Sequence, residues 1–162
     1  MGGASADASF KRVDDQWVRR NGKRELLDPQ YLPQNVYEPY ERMMAAMRQD
    51  IGKRLLVESG YRSQACQLYT YLYYLPKHHY SLVETGHWVA LPGYSEHGAP
   101  HKQAIDFINE EGINGEDNPE EFERLPEYAW LSQRARDFGF ELSFPRGTPG
   151  SAFEPWHWRH EG

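Results

Sequence analysis

The segment Ala104-Ile-Asp-Phe-Ile108 sets the hardest condition on any fold this chain can adopt. Four apolar residues read as a buried strand, and a carboxylate in their midst is costly unless a cation or hydrogen bonds compensate it. A bound metal or a structural salt bridge would meet that condition. The lone Cys66 excludes an internal disulfide and a cysteine-rich zinc site, so any metal here is held by histidine and carboxylate.

The rest of the chain alternates short helical and extended stretches. Pro39 opens a helix over Tyr40–Gln49 that Gly52 closes, and Arg54–Glu58 reads as a strand running into the turn at Ser59-Gly60. Ser63 caps a helix through about Leu75, stopped by Pro76. Residues 77–94 are irregular, with a hairpin of Ser81–Val83 and His87–Leu91 around Thr85-Gly86. Asn109–Asn118 is an acidic, Gly/Asn-rich loop, and the acidic run Glu116–Glu123 a solvated face. Leu131, Ala135 and Phe138 stripe a helix over Pro126–Phe138, with Gly139 at its C-terminal cap. Phe140–Ser143 and Trp156–His160 finish as strands. The pattern predicts an α+β fold, a small central antiparallel sheet flanked by helices.

With 162 residues the chain suits one domain over 10–162, able to bury roughly 70% of its unfolded surface. Residues 1–9, small and polar, are expected to be a loose tail or a cloning remnant, without the basic and apolar regions of a signal peptide. The net charge of −6 disfavours nucleic acid as a partner. No apolar run approaches the roughly 20 residues of a membrane span. A monomer is expected.

A catalytic zinc takes three protein ligands and keeps a position for water. The H-E-x-x-H helix is absent. Two separated clusters stand in its place: Ser95-Glu-His97 followed by Ala104-Ile-Asp106, and Glu154-Pro-Trp-His-Trp-Arg159. With the upstream Ser59-Gly-Tyr-Arg-Ser63 and Gln67, and with Pro92-Gly-Tyr-Ser-Glu-His97, they follow the order S-G-Y-R-S-x-x-x-Q, S-x-H, A-x-D, E-x-W-H-x-R. Over residues 36–160 the chain therefore resembles the D-Ala-D-Ala carboxypeptidases and dipeptidases of the VanY and VanX type. These share a zinc fold with lysostaphin-type endopeptidases and the Hedgehog signalling domain. One departure is a connection of six residues, 98–103, between His97 and Ala104. It is two longer than the family's, and it is expected to bulge away and leave His101 outside the metal's ligand shell.

The resemblance implies Zn²⁺ on His97, Asp106 and His157, set on the sheet. It implies Glu154 as the base that moves protons between water and leaving amine, and Arg62 as the cation facing the developing oxyanion. Arg62, Gln67 and Ser95 are implied as substrate contacts, while Trp156 and Trp158 pack and wall the site. His78, His79 and His87 are expected to be polar surface. The implied activity is a zinc peptidase acting on peptidoglycan stem peptides or muropeptides in the cell envelope, periplasm or extracellular space. A D,D-carboxypeptidase releasing terminal D-Ala is the first expectation, an L-Ala-D-Glu endopeptidase the alternative. A zinc-bearing module that binds without catalysis is the rival from another class, and retention of Glu154 beside His157 weighs against it.

Overall fold

The strand carrying Asp106 lies inside an antiparallel sheet. The computed structural model describes residues 9–162, so of the expected tail only Ser9 falls within the described residues. Two short antiparallel pairs come first: β1 (Phe10–Arg12) with β4 (Tyr31–Pro33), and β2 (Trp17–Arg20) with β3 (Lys23–Leu26). There follow α1 (Gln34–Ile51), β5 (Leu55–Ser59), α2 (Gln64–Tyr74), α3 (Leu82–Trp88), β6 (Ala104–Asn109), α4 (Pro119–Glu123), α5 (Pro126–Arg134), β7 (Phe140–Leu142) and β8 (His157–His160). The central sheet has the order β5-β6-β8-β7, antiparallel throughout. The α+β expectation holds.

Period-two alternation in β6 sorts its residues between two environments. Ile105 and Phe107 join the main core with Leu55, Val57, Trp158 and the buried stripe of α1 (Val36, Tyr40, Met43, Met44, Met47). Ala104, Asp106 and Ile108 face the other side. Asp106 is thereby withheld from the apolar layer although it sits in an apolar strand.

The outer edge of β5 is closed by side chains. The Gln16 carboxamide receives the Val57 N–H (2.7 Å) and donates to the Val57 carbonyl (2.8 Å). Tyr40 Oη donates to the Leu55 carbonyl at 3.1 Å, and Met44 Sδ receives the Leu55 N–H at 3.3 Å. An otherwise free sheet edge is satisfied without a fifth strand.

Several local expectations are corrected. α1 begins at Gln34, with Pro39 inside it, because the buried i, i+4, i+7 stripe from Val36 extends through the proline and outweighs the lost hydrogen bond. The hairpin expected over 81–91 is the helix α3: Ser81 Oγ accepts the Glu84 N–H at 3.2 Å, a serine cap three residues before a glutamate, and Thr85 is buried. α5 tightens into a 3₁₀ turn at Ala135–Phe138 before Gly139, which has φ of 82°. Part of the acidic run, Pro119–Glu123, is helical, and its Phe122 is fully buried. β8 starts at His157, one residue later than expected.

Replacing Gln16 with leucine, close to it in size, leaves the Val57 N–H and C=O without partners. At about 1–3 kcal/mol for each orphaned group, the loss should be about 2–6 kcal/mol in urea denaturation.

Candidate metal centre and substrate cleft

The register of the sheet places Asp106 of β6 directly opposite His157 of β8. Directly paired residues project to the same side of the sheet, so two of the three expected ligands meet through strand pairing alone. His157 Nδ1 stands 2.7 Å from Asp106 Oδ1. The third, His97, arrives from a 3₁₀ turn at Glu96–Gly98, capped by Ser95 Oγ accepting the His97 N–H at 3.3 Å. This turn is tied to the loop after β5 by the Arg62 N–H bonded to the His97 carbonyl at 2.9 Å.

His97 is 1% exposed. Its Nδ1 lies 2.8 Å from the Gly60 carbonyl, so Nδ1 carries the proton and Nε2 turns its lone pair toward Asp106. Position 60 has no room for a side chain, since a Cβ there would sit 2.6 Å from the Tyr31 carbonyl oxygen. Nε2 is buried and lies 3.0 Å from Asp106 Oδ2, yet it makes no hydrogen bond. With the proton on Nδ1, this is a contact without a hydrogen bond. A metal ion would satisfy this orphaned nitrogen.

One ligand atom from each of His97, Asp106 and His157 lies within 4.8 Å of the others. Donors about 2.0–2.1 Å from a tetrahedral ion stand roughly 3.3 Å apart, so these side chains need separate only slightly to seat one. The N, O, N donor set suits zinc.

The charges around the trio favour its ligand forms. Burial would raise the Asp106 carboxyl, but His97 and His157 more than offset it and hold Asp106 below the usual carboxylate range. Burial lowers His97, Asp106 opposes this, and Arg62 and His157 add to the fall. His157 goes the other way. Burial would lower it, and Asp106 and Glu96 instead push it up to about 9.

Glu96, to which the sequence motif assigns no role, has one in the structure. Its Oε2 lies 2.8 Å from His157 Nε2 and accepts from Ser143 Oγ at 2.6 Å, while Oε1 accepts from Arg159 Nη1 at 3.2 Å. Burial raises its pKa, but His157 and Ser143 bring it down to about 2. An ionised Glu96 holding the Nε2 proton leaves His157 Nδ1 for a metal. Only knowledge of the β7–β8 pairing could have found Ser143.

A cleft of about 520 Å³ opens over the trio. Glu154, Arg62, Gln67 and Ser95 all line it, with Trp156 and Phe144 as walls. Glu154 ends the loop that follows β7, its N–H on the Phe144 carbonyl at 3.1 Å, and a turn brings the His157 N–H to the Glu154 carbonyl at 3.1 Å. Its carboxylate has no hydrogen bond or ion pair among the described residues. Burial raises its pKa, His157 opposes this, and Asp106, Glu116 and Glu96 add to the rise. The Arg62 guanidinium likewise has no carboxylate partner among the described residues, and its buried Nε is unbonded. The Gln67 side chain donates to the Ala90 carbonyl at 2.7 Å and keeps a buried, unpartnered Oε1. Ser95 lines the cleft while capping its turn. His101 is exposed in the turn after His97 and lies outside the trio. His79 and His87 are exposed, though His87 reaches the cleft rim, and His78 is half-buried against the Trp88 ring. Trp158 is core rather than wall.

Residues 29–162 match the family model of VanY, D-alanyl-D-alanine carboxypeptidase. The chain belongs to this family. A D-alanyl-D-alanine carboxypeptidase of Enterococcus faecalis (strain ATCC 700802 / V583) is 36% identical over 83 residues, which is 49% of this chain and only 27% of that protein. The bifunctional D-Ala-D-Ala dipeptidase and D-Ala-D-Ala carboxypeptidase VanXYC of Enterococcus gallinarum is 27% identical over 139 residues, 82% of this chain and 68% of its own length. Among solved structures, a mutant of the vancomycin-resistance D,D-pentapeptidase VanY in complex with Zn(II) has the same fold. It superposes at a TM-score of 0.68 and 24% identity, covering 99% of this chain and 82% of that one.

Two measurements bear on the VanY-family centre. Glu96→Gln should weaken zinc binding about 10–100-fold in chelator competition, because the neutral amide holds the His157 proton less firmly. Zinc must also displace the proton that His157 carries below about pH 9 in the zinc-stripped protein. Apparent affinity should therefore rise with pH, approaching tenfold per unit between pH 7 and 9.

Proposed function

We propose that residues 10–162 form one zinc-dependent peptidase domain that cuts peptidoglycan stem peptides, acting as a monomeric D,D-carboxypeptidase that releases terminal D-Ala. The observation that carries this reading is a free, half-buried carboxylate, Glu154, in the same cleft as the His97, Asp106 and His157 trio. A module that only bound zinc would have no use for such a base. The names of the two enterococcal relatives support D-Ala-D-Ala as the sequence cut. The cell-wall substrate of this reading supports a site of action in the cell envelope. No helix among the described residues is long and apolar enough to cross a membrane.

In this mechanism His97, Asp106 and His157 hold zinc, which when bound polarises the scissile carbonyl and acidifies an attacking water. Glu154 takes the water's proton and hands it to the departing D-Ala amine, and its raised pKa brings it nearer to neutrality, where such exchange is efficient. Arg62, without a carboxylate partner among the described residues, faces the oxyanion that forms at the carbonyl. Gln67 Oε1 is an acceptor for a substrate N–H, and Ser95 presents its hydroxyl beside the ligand turn. Trp156 and Phe144 restrict water around them.

The purified protein should hold about one zinc per chain by elemental analysis, and His157→Ala should lose most of it. Wild type should shorten a stem pentapeptide by one D-Ala in mass spectrometry; cleavage between the L-Ala and D-Glu positions would make it an endopeptidase. Glu154→Gln should keep its zinc while turnover drops at least ~100-fold. Near-normal turnover in that variant would place the base elsewhere.

A further inference from the structure

Charges that line the cleft divide into those with partners and those without. His97, Asp106 and His157 serve the metal centre, Glu154 is the base, and Glu96 is held by His157, Ser143 and Arg159. Two ionised side chains remain: the cation Arg62 and the anion Glu116. The peptidase reading gives Arg62 a task and leaves Glu116 with none.

Glu116 is held in place although it is solvent-exposed. It sits between β6 and α4, where Asn114 bridges back to Ile108 and its Oδ1 accepts the Asp117 N–H at 2.9 Å. The Asn114 Nδ2 donates to Glu58 Oε1 at 3.0 Å. Gly115 is buried beneath the Trp156 indole, where a Cβ would come within 2.1 Å of the ring. The loop is thus pressed onto the wall of the cleft immediately before His157. From the opposite wall Tyr74 Oη donates to Glu116 Oε1 at 2.6 Å. The same bond raises the Tyr74 phenol to about 12, so it keeps its proton and continues to donate. One carboxylate oxygen is thereby fixed, while among the described residues Oε2 has no partner and no Lys, Arg or His forms an ion pair with Glu116.

The supporting wall is one face of α2. Gln67, Thr70 and Tyr74 stand at i, i+3 and i+7 and all line the cleft. At 1.5 Å per residue, Gln67 and Tyr74 are about 10 Å apart along the axis, roughly three residues of extended peptide. Gln67, 3% exposed, brings a second unpartnered acceptor, Oε1, to that wall. The Glu116 loop and α2 together therefore bring acceptors and negative charge to the cleft that Arg62 also lines.

We propose that Glu116, oriented by Tyr74, forms a subsite for a primary ammonium group on the substrate, separate from the metal centre. The inference rests on the peptidase reading and deepens it. In a substrate ending in D-Ala-D-Ala the ammonium has two sources: the side chain of a diamino residue preceding the two D-alanines, or the α-amine of the free dipeptide. A charge-assisted contact in a partly enclosed cleft is worth about tenfold in kcat/KM.

The test compares the zinc-loaded protein on Nα-acetyl-L-Lys-D-Ala-D-Ala and Nα,Nε-diacetyl-L-Lys-D-Ala-D-Ala, which differ only in the ε-ammonium. A second pair, D-Ala-D-Ala and N-acetyl-D-Ala-D-Ala, differs in the α-ammonium. Wild type should prefer the charged member of one pair about tenfold, and the pair that responds names the source. In Glu116→Gln that ratio should fall to near one, and in Tyr74→Phe it should fall part of the way. A general loss of folding lowers both members together and does not move the ratio. Hydrolysis of all four peptides with ratios near one in wild type, or a preference that survives in Glu116→Gln, overturns the subsite and leaves the peptidase intact. No hydrolysis of any of the four overturns the D,D-carboxypeptidase reading, and the subsite falls with it.

Discussion

The Asp106 carboxylate between two imidazoles is the interaction on which the other parts of this molecule depend. Its two oxygens face different histidines, His157 at 2.7 Å and His97 at 3.0 Å, from opposite ends of the sequence of motifs. A carboxylate inside an apolar strand is tolerable only with such compensation. The sheet order β5-β6-β8-β7 brings the partner strand alongside, and the loop after β5 brings the carbonyl that aims His97. Binding chemistry and strand pairing are here the same arrangement seen at two scales.

Around that carboxylate the protein builds outward in layers of hydrogen bonds. Gly60 orients one imidazole and Glu96 the other, and Ser143 and Arg159 in turn hold Glu96. Each outer partner lies on an element with its own reason to be where it is: a loop with no room for a Cβ beside Tyr31, and strands locked by the Phe140–His160 and Leu142–Trp158 pairs. Geometry at the centre is thereby inherited from the packing of the core, where Trp158 sits among the residues that also bury α1 and α5.

What could be read from the sequence follows from this arrangement. His97, Asp106, His157 and Glu154 were legible because they fall inside motifs that match a family pattern in the same order, and the structure gathers them around one cleft. Ser63 was legible as a cap for the same kind of reason, since its hydroxyl does accept the Cys66 N–H at 3.2 Å. The outer partners were not, because a glutamate next to a histidine or a serine at a strand end says nothing until pairing brings them together. Local competition misled elsewhere. Thr85-Gly86 resembles a turn, but Ser81 and Glu84 form a stronger helix start. Pro39 resembles a helix start, but burial from Val36 onward decides the matter. The strands before α1 are three or four residues long and largely exposed, so their alternation carries almost no signal.

The lengthened connection after His97 closes on itself. Lys102 bonds back to the Ala99 carbonyl at 2.8 Å, and Gln103, fully buried, resumes the sheet by receiving the His160 N–H on its carbonyl at 3.0 Å. Both ends are clamped, and His101 at the crest points to none of the reactive groups. Such a crest is a natural handle. A fluorophore, a surface tether or a short recognition tag spliced between Pro100 and Lys102 would ride on the enzyme a few residues from its ligands in sequence while remaining mechanically insulated from them, so the protein could be immobilised or tracked on a cell wall in working form.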